Sequence, residues 1–296
     1  MSRRPSVAAT ASAFVAFALG GCGEPKPWDQ PGWRPEQPPQ RIVLASVLAA
    51  EALLGIVPDE RLAGVHYVAA DPGNSLVAAA ARAFPLVGAA PEDLLAVRPD
   101  LVLVDAFTSP ETLGLLAGAD VPVVRTDNPT GFDDIAANLR RLGRVTHLDA
   151  PLDERARAMQ DELSQLARSA PDVAGWRVLC IDGSLHSYGT GSLFDAVARA
   201  AGARNVAAEQ GVGPFRKLDI EEVLAWRPDA LVLSVHAGHT GGRPSWLEQY
   251  VGLGLLPCVR RDRLVMVPFP QLSTTSHRLV ETVALLQRQL RAWGKP

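Results

Sequence analysis

Two stretches decide how this chain is read: Glu92–Val104, EDLLAVRPDLVLV, and Glu221–Leu233, EEVLAWRPDALVL. They start 129 residues apart and share six identities: the Glu, a Leu, an Ala and the run Arg-Pro-Asp. Each reads as a helix, a Pro-Asp turn and a buried strand. The proline ends the helix, because the residue before a proline is pushed out of the right-handed α region. One copy is an ordinary helix–strand joint, and two copies also fit a coincidence between such joints. Two copies flanking a long helix predict two similar lobes.

Working outward, short β-rich runs recur at 41–45, 63–68, 101–104, 121–125, 177–181, 230–235 and 264–267. Helical spacing fills the gaps, as at 48–54, 91–97, 133–142 and 192–201. Alternating strands and helices with continuously apolar strands predict parallel sheets covered on both faces. The longest helical stretch, 149–168, reads DAPLDERARAMQDELSQLAR, with Asp149 as its cap, Pro151 in its first turn and Pro171 just past its end. A second, 276–293, closes the chain. The expected fold is therefore α/β: two lobes with mostly parallel sheets, 41–148 and 171–296, joined by a single long backbone helix, 149–170.

The N-terminus reads as an address. Arg3 and Arg4 precede an uncharged apolar run from Val7 to Leu19, too short to span a bilayer but suited to a signal peptide. It ends in Leu19-Gly20-Gly21-Cys22, which resembles a bacterial lipobox: small residues before the cut, and a thiol, Cys22, to take the lipid. Residues 1–22 are then a lipoprotein signal. Residues 23–40, GEPKPWDQPGWRPEQPPQ, hold six prolines and read as a stiff tether outside any folded unit. The alternative is an ordinary secretion signal with a chance cysteine. No other segment has 18 uncharged apolar residues.

Composition narrows the function. With 47% hydrophobic and 21% charged residues the chain has material for a core and is not a disordered one. It carries 29 basic and 32 acidic residues with no basic stripe, which argues against nucleic acid as a partner. Three cysteines, Cys22, Cys180 and Cys258, build neither a disulfide scaffold nor a multi-cysteine zinc site. The last two read as buried thiols, with a disulfide between them left open. Catalytic signatures are lacking: no Walker loop, no G-x-S-x-G elbow, no H-E-x-x-H. Gly189-Thr190-Gly191 lacks the third glycine of a dinucleotide fingerprint.

Candidate ligand contacts come from the rule that open parallel sheets bind beyond the carboxyl ends of their strands. Those ends give Ser46, His66, Tyr67, Asp105, Phe107, His186, Tyr188, His236, His239, Phe269 and Gln271, with Arg216 nearby in Phe215-Arg216-Lys217. Histidines and aromatics clustered there suit a large, partly aromatic or metal-chelated ligand. His236 and His239 also read as a weak metal pair, three residues apart with no acidic third ligand beside them.

The order of motifs resembles a known family. Arg41-Ile42-Val43-Leu44, Gly64-Val65, Val87-Gly88 and the segment Glu92–Val102 come first. Gly189-Thr190-Gly191-Ser192, Gly202-Ala203-Arg204-Asn205-Val206-Ala207 and Glu221–Asp229 come after them. Together, from about residue 40 to 292, they resemble the substrate-binding proteins of ABC importers for cobalamin, ferric siderophores and haem, the class III periplasmic binding proteins. The resemblance implies two Rossmann-like lobes on one rigid backbone helix with the ligand between them and no intrinsic cofactor. It implies an ABC permease dimer with a cytoplasmic ATPase as partner. It also implies that Glu92 and Glu221 dock onto basic residues of the two permease subunits; each also suits a helix's first turn. Two rivals stay open: a receptor of the same fold for a metal ion or another small solute, and a secreted α/β enzyme.

Overall fold

Arg98 and Arg227, the residues before the two repeat prolines, both adopt left-handed backbone, with φ of 48° and 46°. They leave the right-handed region as expected but enter the left-handed one instead of the extended one. The corner beyond each proline is built on the same plan in both lobes. The Asp100 carboxylate accepts the N–H groups of Gln40 and Arg41, and Asp229 accepts that of Arg177. The Arg41 guanidinium donates to the carbonyls of Val97 and Arg98, and that of Arg177 to those of Trp226 and Arg227. Each arginine thus satisfies the open carbonyls at the end of a helix while its own backbone starts a strand. The repeat is one corner used twice.

The computed structural model describes residues 26–296. The signal peptide and Cys22 lie outside the described residues. Among the described residues eleven strands run β1 Ile42–Leu44, β2 Leu62–His66, β3 Leu86–Val87, β4 Leu101–Val104, β5 Val123–Arg125, β6 Arg177–Ile181, β7 His186–Ser187, β8 Arg204–Asn205, β9 Arg216–Lys217, β10 Ala230–Val235 and β11 Leu264–Pro268. The first sheet has the order β3-β2-β1-β4-β5 and the second β11-β10-β6-β8, with every pairing in both parallel. β7 and β9 form a separate antiparallel pair. All strands of the first sheet precede helix Asp149–Ser169 and all of the second come after it. This is the two-lobed α/β fold with a single long joining helix.

The joining helix is no swivel. Leu152, Ala156 and Met159 on its inner side are 0–2% exposed. They belong to one continuous core that runs from Ile42, Leu103 and Leu139 of the first lobe to Val178, Phe194 and Val283 of the second. The Gln287 amide, from helix Val280–Trp293, donates to the carbonyl of Leu166 on the joining helix and to that of Ala201. Asp149 sits in the first turn of this helix, after Leu148 at the cap position, and pairs with Arg34 at 2.9 Å.

That ion pair corrects the reading of residues 26–40 as a free tether. Trp28, in the turn of helix Pro27–Asp29, is 9% exposed and packs with Val43, Leu94, Leu116 and Val123. Arg61 and Arg144 donate to the carbonyls of Pro39 and Pro31, and the His147 ring bonds that of Pro35. The proline content suggests a stiff spacer. It does not reveal that an extended, proline-rich backbone leaves its carbonyls free for side chains of the lobe. Cys180 and Cys258 are free and buried, which closes the open question of a disulfide. Burial raises both thiols, that of Cys258 to about 11, so neither is a ready nucleophile.

Candidate functional site

Both sheets turn their carboxyl ends toward the gap between the lobes. A cavity of about 330 Å³ there takes Phe107, Asn128 and Pro129 from the first lobe and Tyr188, Ser192, Phe194, Phe215 and Phe269 from the second. Helix Leu193–Ala201 opens into it. The Ser192 hydroxyl caps that helix, accepting from the Asp195 N–H and donating to the Gly189 carbonyl. Gly189 must be glycine, since a Cβ would collide with the carbonyl of Val212. The Gly-Thr-Gly-Ser motif is thus a cleft-edge turn and helix start, as its lack of a dinucleotide pattern implied.

The walls are aromatic. Phe107 is 79% exposed, Phe215 57% and Phe269 40%, unusual for such side chains unless something covers them. Phe215 lies between two neighbours: the His186 ring stacks on it at 4.8 Å and 17°, and Tyr188 tilts against it at 5.4 Å. Burial pushes the Tyr188 phenol up to about 12, so it remains protonated and able to donate. The His186 Nδ1 is 3.2 Å from the Asp182 carboxylate, which orients the ring.

Two further spaces adjoin, one smaller and one larger. One, of about 100 Å³, shares Phe107, Asn128 and Pro129 and adds Asp105 and Thr126. The other, of about 480 Å³, shares Phe269 and is lined by His236, His239, Arg243, Ser245 and Trp246. The two histidine rings are 5.8 Å apart, and the His239 Nε2 already bonds the Gly242 carbonyl. Among the described residues, no group of three or more His, Cys, Asp or Glu side chains is placed to hold a metal ion.

The strand-end residues therefore divide. Phe107, Tyr188 and Phe269 line the central cavity, His186 stands behind Phe215, and Asp105, His236 and His239 line its neighbours. His66, the last residue of β2, and Tyr67 tilt against each other at 4.7 Å and 34°, and Tyr67 is 57% exposed. Desolvation lowers the His66 imidazole, opposed by the nearby Asp105 charge. Three further residues stand apart from these cavities. Ser46 is 2% exposed and caps helix Val47–Leu53 through the Ala49 N–H. Arg216 grips Glu222 with two hydrogen bonds, at 2.9 and 3.2 Å. Gln271 lines none of these cavities, and its carbonyl accepts the Thr282 hydroxyl. Asn128, Pro129 and Phe215 went unselected. The first two stand just past β5, so the strand-end rule reaches them; Phe215 sits in a loop that no strand-end rule marks.

Glu92 and Glu221 occupy matching places, in the first turns of helices Pro91–Ala96 and Ile220–Trp226. Both are exposed. Each helix feeds a parallel strand, so its first turn lies at the carboxyl-end pole, where the cleft opens. Among the described residues neither carboxylate has an ion-pair partner, whereas the adjacent Glu222 is held low by Arg216.

Comparison with known proteins agrees with this architecture. The periplasmic haem-binding protein RhuT from Roseiflexus sp. RS-1 superposes with a TM-score of 0.72 at 22% identity, over 86% of this chain and 99% of that one. The periplasmic haem-binding protein HutB of Vibrio cholerae gives 0.74 at 19% identity, over 85% and 98%. In sequence, the molybdate-binding protein MolA of Haemophilus influenzae is 29% identical over 164 residues, which is 48% of this chain and only 46% of that protein's length. These likenesses carry the fold and leave the ligand open. Residues 77–270, well over half of the chain, match the family model described as periplasmic binding protein, and the chain belongs to that family.

Proposed function

We propose that this chain is the extracytoplasmic solute-binding component of an ABC importer. It captures a large, partly apolar chelate (haem, a ferric siderophore or cobalamin) and hands it to a permease dimer driven by a cytoplasmic ATPase. One observation carries the ligand class: Phe107, Phe215 and Phe269 stand exposed around a cavity between the lobes whose lining includes no charged side chain. Such a wall suits a planar or macrocyclic face, which gains from aromatic stacking and apolar burial. It suits a bare oxyanion such as molybdate poorly, since a buried anion needs charged or multiple N–H donors. His186, Tyr188 and the His236–His239 pair are the side chains at hand for a chelated iron. The unpaired Glu92 and Glu221, one per lobe on the cleft pole, are the docking carboxylates for two like permease subunits. Cys22 carries the lipid that keeps the receptor at a membrane.

A thermal-shift panel tests the reading, with haemin, several ferric siderophores, cobalamin and molybdate as probes. A ligand present at a hundred times its dissociation constant adds roughly 2.7 kcal/mol of stability. Stabilisation by one of the first three classes, absent in a Phe107→Ala, Phe215→Ala double variant, is the expected result. Stabilisation by molybdate alone would overturn the ligand class while leaving the receptor reading intact.

A further inference from the structure

The polar contacts that residues 26–40 make with the first lobe fall on one end of it. Asp100, which holds Gln40, directly precedes β4, and Arg61, which holds Pro39, directly precedes β2. Asp120, the partner of Lys26 at 3.4 Å, lies just before β5. Arg144, His147 and Asp149, which hold Pro31, Pro35 and Arg34, stand where helix Phe132–Thr146 ends, after running back from the carboxyl end of β5. All of these mark the amino ends of the parallel strands. The cleft and the first turns bearing Glu92 and Glu221 mark the carboxyl ends.

We propose that residues 26–40 are a docked strap that fixes the lipid-bearing N-terminus at the pole opposite the ligand cleft, so that the receptor stands base-down on its own membrane with the cleft and both docking glutamates turned away. The proposal rests on the lipid-anchored receptor reading above. Its arithmetic is covalent. Cys22 and Lys26 are four chain steps apart, a reach of at most about 14 Å, whereas a body of this size is roughly 45 Å across. With the strap docked, the leash cannot pass around the body to bring the cleft pole down onto the anchoring membrane. With the strap peeled off as far as Gln40, the reach grows to about 65 Å and the constraint vanishes.

The strap is built to stay. Peeling it would expose the Trp28 ring, which also packs edge-on against Trp33 at 6.4 Å. It would strip a carbonyl acceptor from Arg61, itself only 9% exposed, whose remaining bond runs to the Thr146 carbonyl. The docked form therefore serves a permease in a membrane that faces the anchoring one.

The test uses the full lipidated chain on phosphatidylcholine–phosphatidylglycerol vesicles containing an acceptor dye. Single donor labels go on Glu60→Cys, at the base, and Glu111→Cys, at the cleft pole of the same lobe. Both sites are exposed, and the native Cys180 and Cys258 are buried and spared. Energy transfer to the bilayer should be about twofold or more stronger from position 60 than from 111, and inserting about twelve Gly and Ser residues between Pro25 and Lys26 should erase the difference. Equal or reversed transfer in the unmodified spacing overturns the orientation. Mass spectrometry of the N-terminal peptide separates the two failures. Missing acyl chains on Cys22 sink the anchor reading and this proposal with it, and acyl chains present with equal transfer sink this proposal alone.

Discussion

Glu51, from the first lobe, accepts the hydroxyl of Thr274, from the second, at 2.5 Å. Ser276 donates to the same carboxylate oxygen at 2.6 Å, and the Leu76 N–H donates to the other at 3.1 Å. Glu51 is 2% exposed, so nothing but these groups satisfies it. Together with the joining helix this knot ties the two lobes to each other. The two hydroxyls lie 2.9 Å apart and can bond each other, so removing the carboxylate leaves one buried hydroxyl and an N–H without their acceptor. Glu51→Ala should cost about 2–4 kcal/mol, measured by denaturant unfolding. Glu51→Gln, which keeps the volume and one acceptor, should cost less. A loss under about 0.5 kcal/mol for Glu51→Ala would mean that the knot is replaced by water at little cost.

The exposed cleft aromatics should behave in the opposite way. Phe107 and Phe215 are 79% and 57% exposed, so truncating either creates no core cavity. Phe107→Ala and Phe215→Ala should each leave unfolding free energy within about 1 kcal/mol of the parent. Ligand affinity should fall about tenfold or more for at least one, as stacked aromatic anchors dominate such sites. Calorimetric titration with the ligand found in the thermal panel reads this directly. Unchanged affinity in both variants would move the site away from the central cavity.

The two carboxylates proposed for docking make a third case. Glu92 and Glu221 are exposed and sit in first turns of short helices, so neither supports the core. Glu92→Ala and Glu221→Ala should leave stability within about 1 kcal/mol and ligand affinity unchanged. Uptake into cells or proteoliposomes carrying the cognate permease should fall, more in the double variant than in either single one, because each lobe is proposed to meet its own subunit. Added salt should weaken docking of the parent by screening those pairs. Full uptake by the double variant would reduce the repeat to a feature of the fold.

Much of the architecture is legible because helix–strand joints write themselves into local sequence. The Arg-Pro-Asp corner announces both lobes, and five of the seven apolar runs, those that become β1, β4, β6, β10 and β11, match their strands within a residue. The two-residue strands β3, β7, β8 and β9 carry no period long enough to notice. The strap escapes a local reading because its order comes from distant partners, Arg61, Arg144 and His147, whose side chains find its carbonyls only after the lobe has folded. At the cleft, the strand-end rule locates Phe107, Tyr188 and Phe269 without saying which polar ends are already occupied. Ser46 is taken by a helix cap and Arg216 by Glu222, bonds that depend on where a loop turns.

One histidine outside the cleft should make stability depend on pH. His277 lies in the turn that leads into helix Val280–Trp293, and its Nδ1 is buried with no hydrogen-bond partner. Desolvation, with the Arg155 and Arg278 charges adding to it, lowers the imidazole to about 4. The carboxylates around the same hollow, Glu154, Glu162 and Glu281, are exposed at its rim and too hydrated to offset this. In the unfolded chain the ring titrates near its ordinary 6.5. Between these values the unfolded state binds a proton that the folded state refuses, so folding stability rises with pH there. The contribution is fully present above pH 6.5 and is lost as pH falls toward 4, with a slope of at most about 1.4 kcal/mol per unit. His277→Gln removes the titration while keeping a polar side chain of similar reach. The parent's stability advantage over that variant, followed by guanidinium unfolding from pH 7 to pH 4.5, should shrink steadily through this window. A constant difference across it would show that His277 takes up its proton in the folded protein as readily as in the unfolded one.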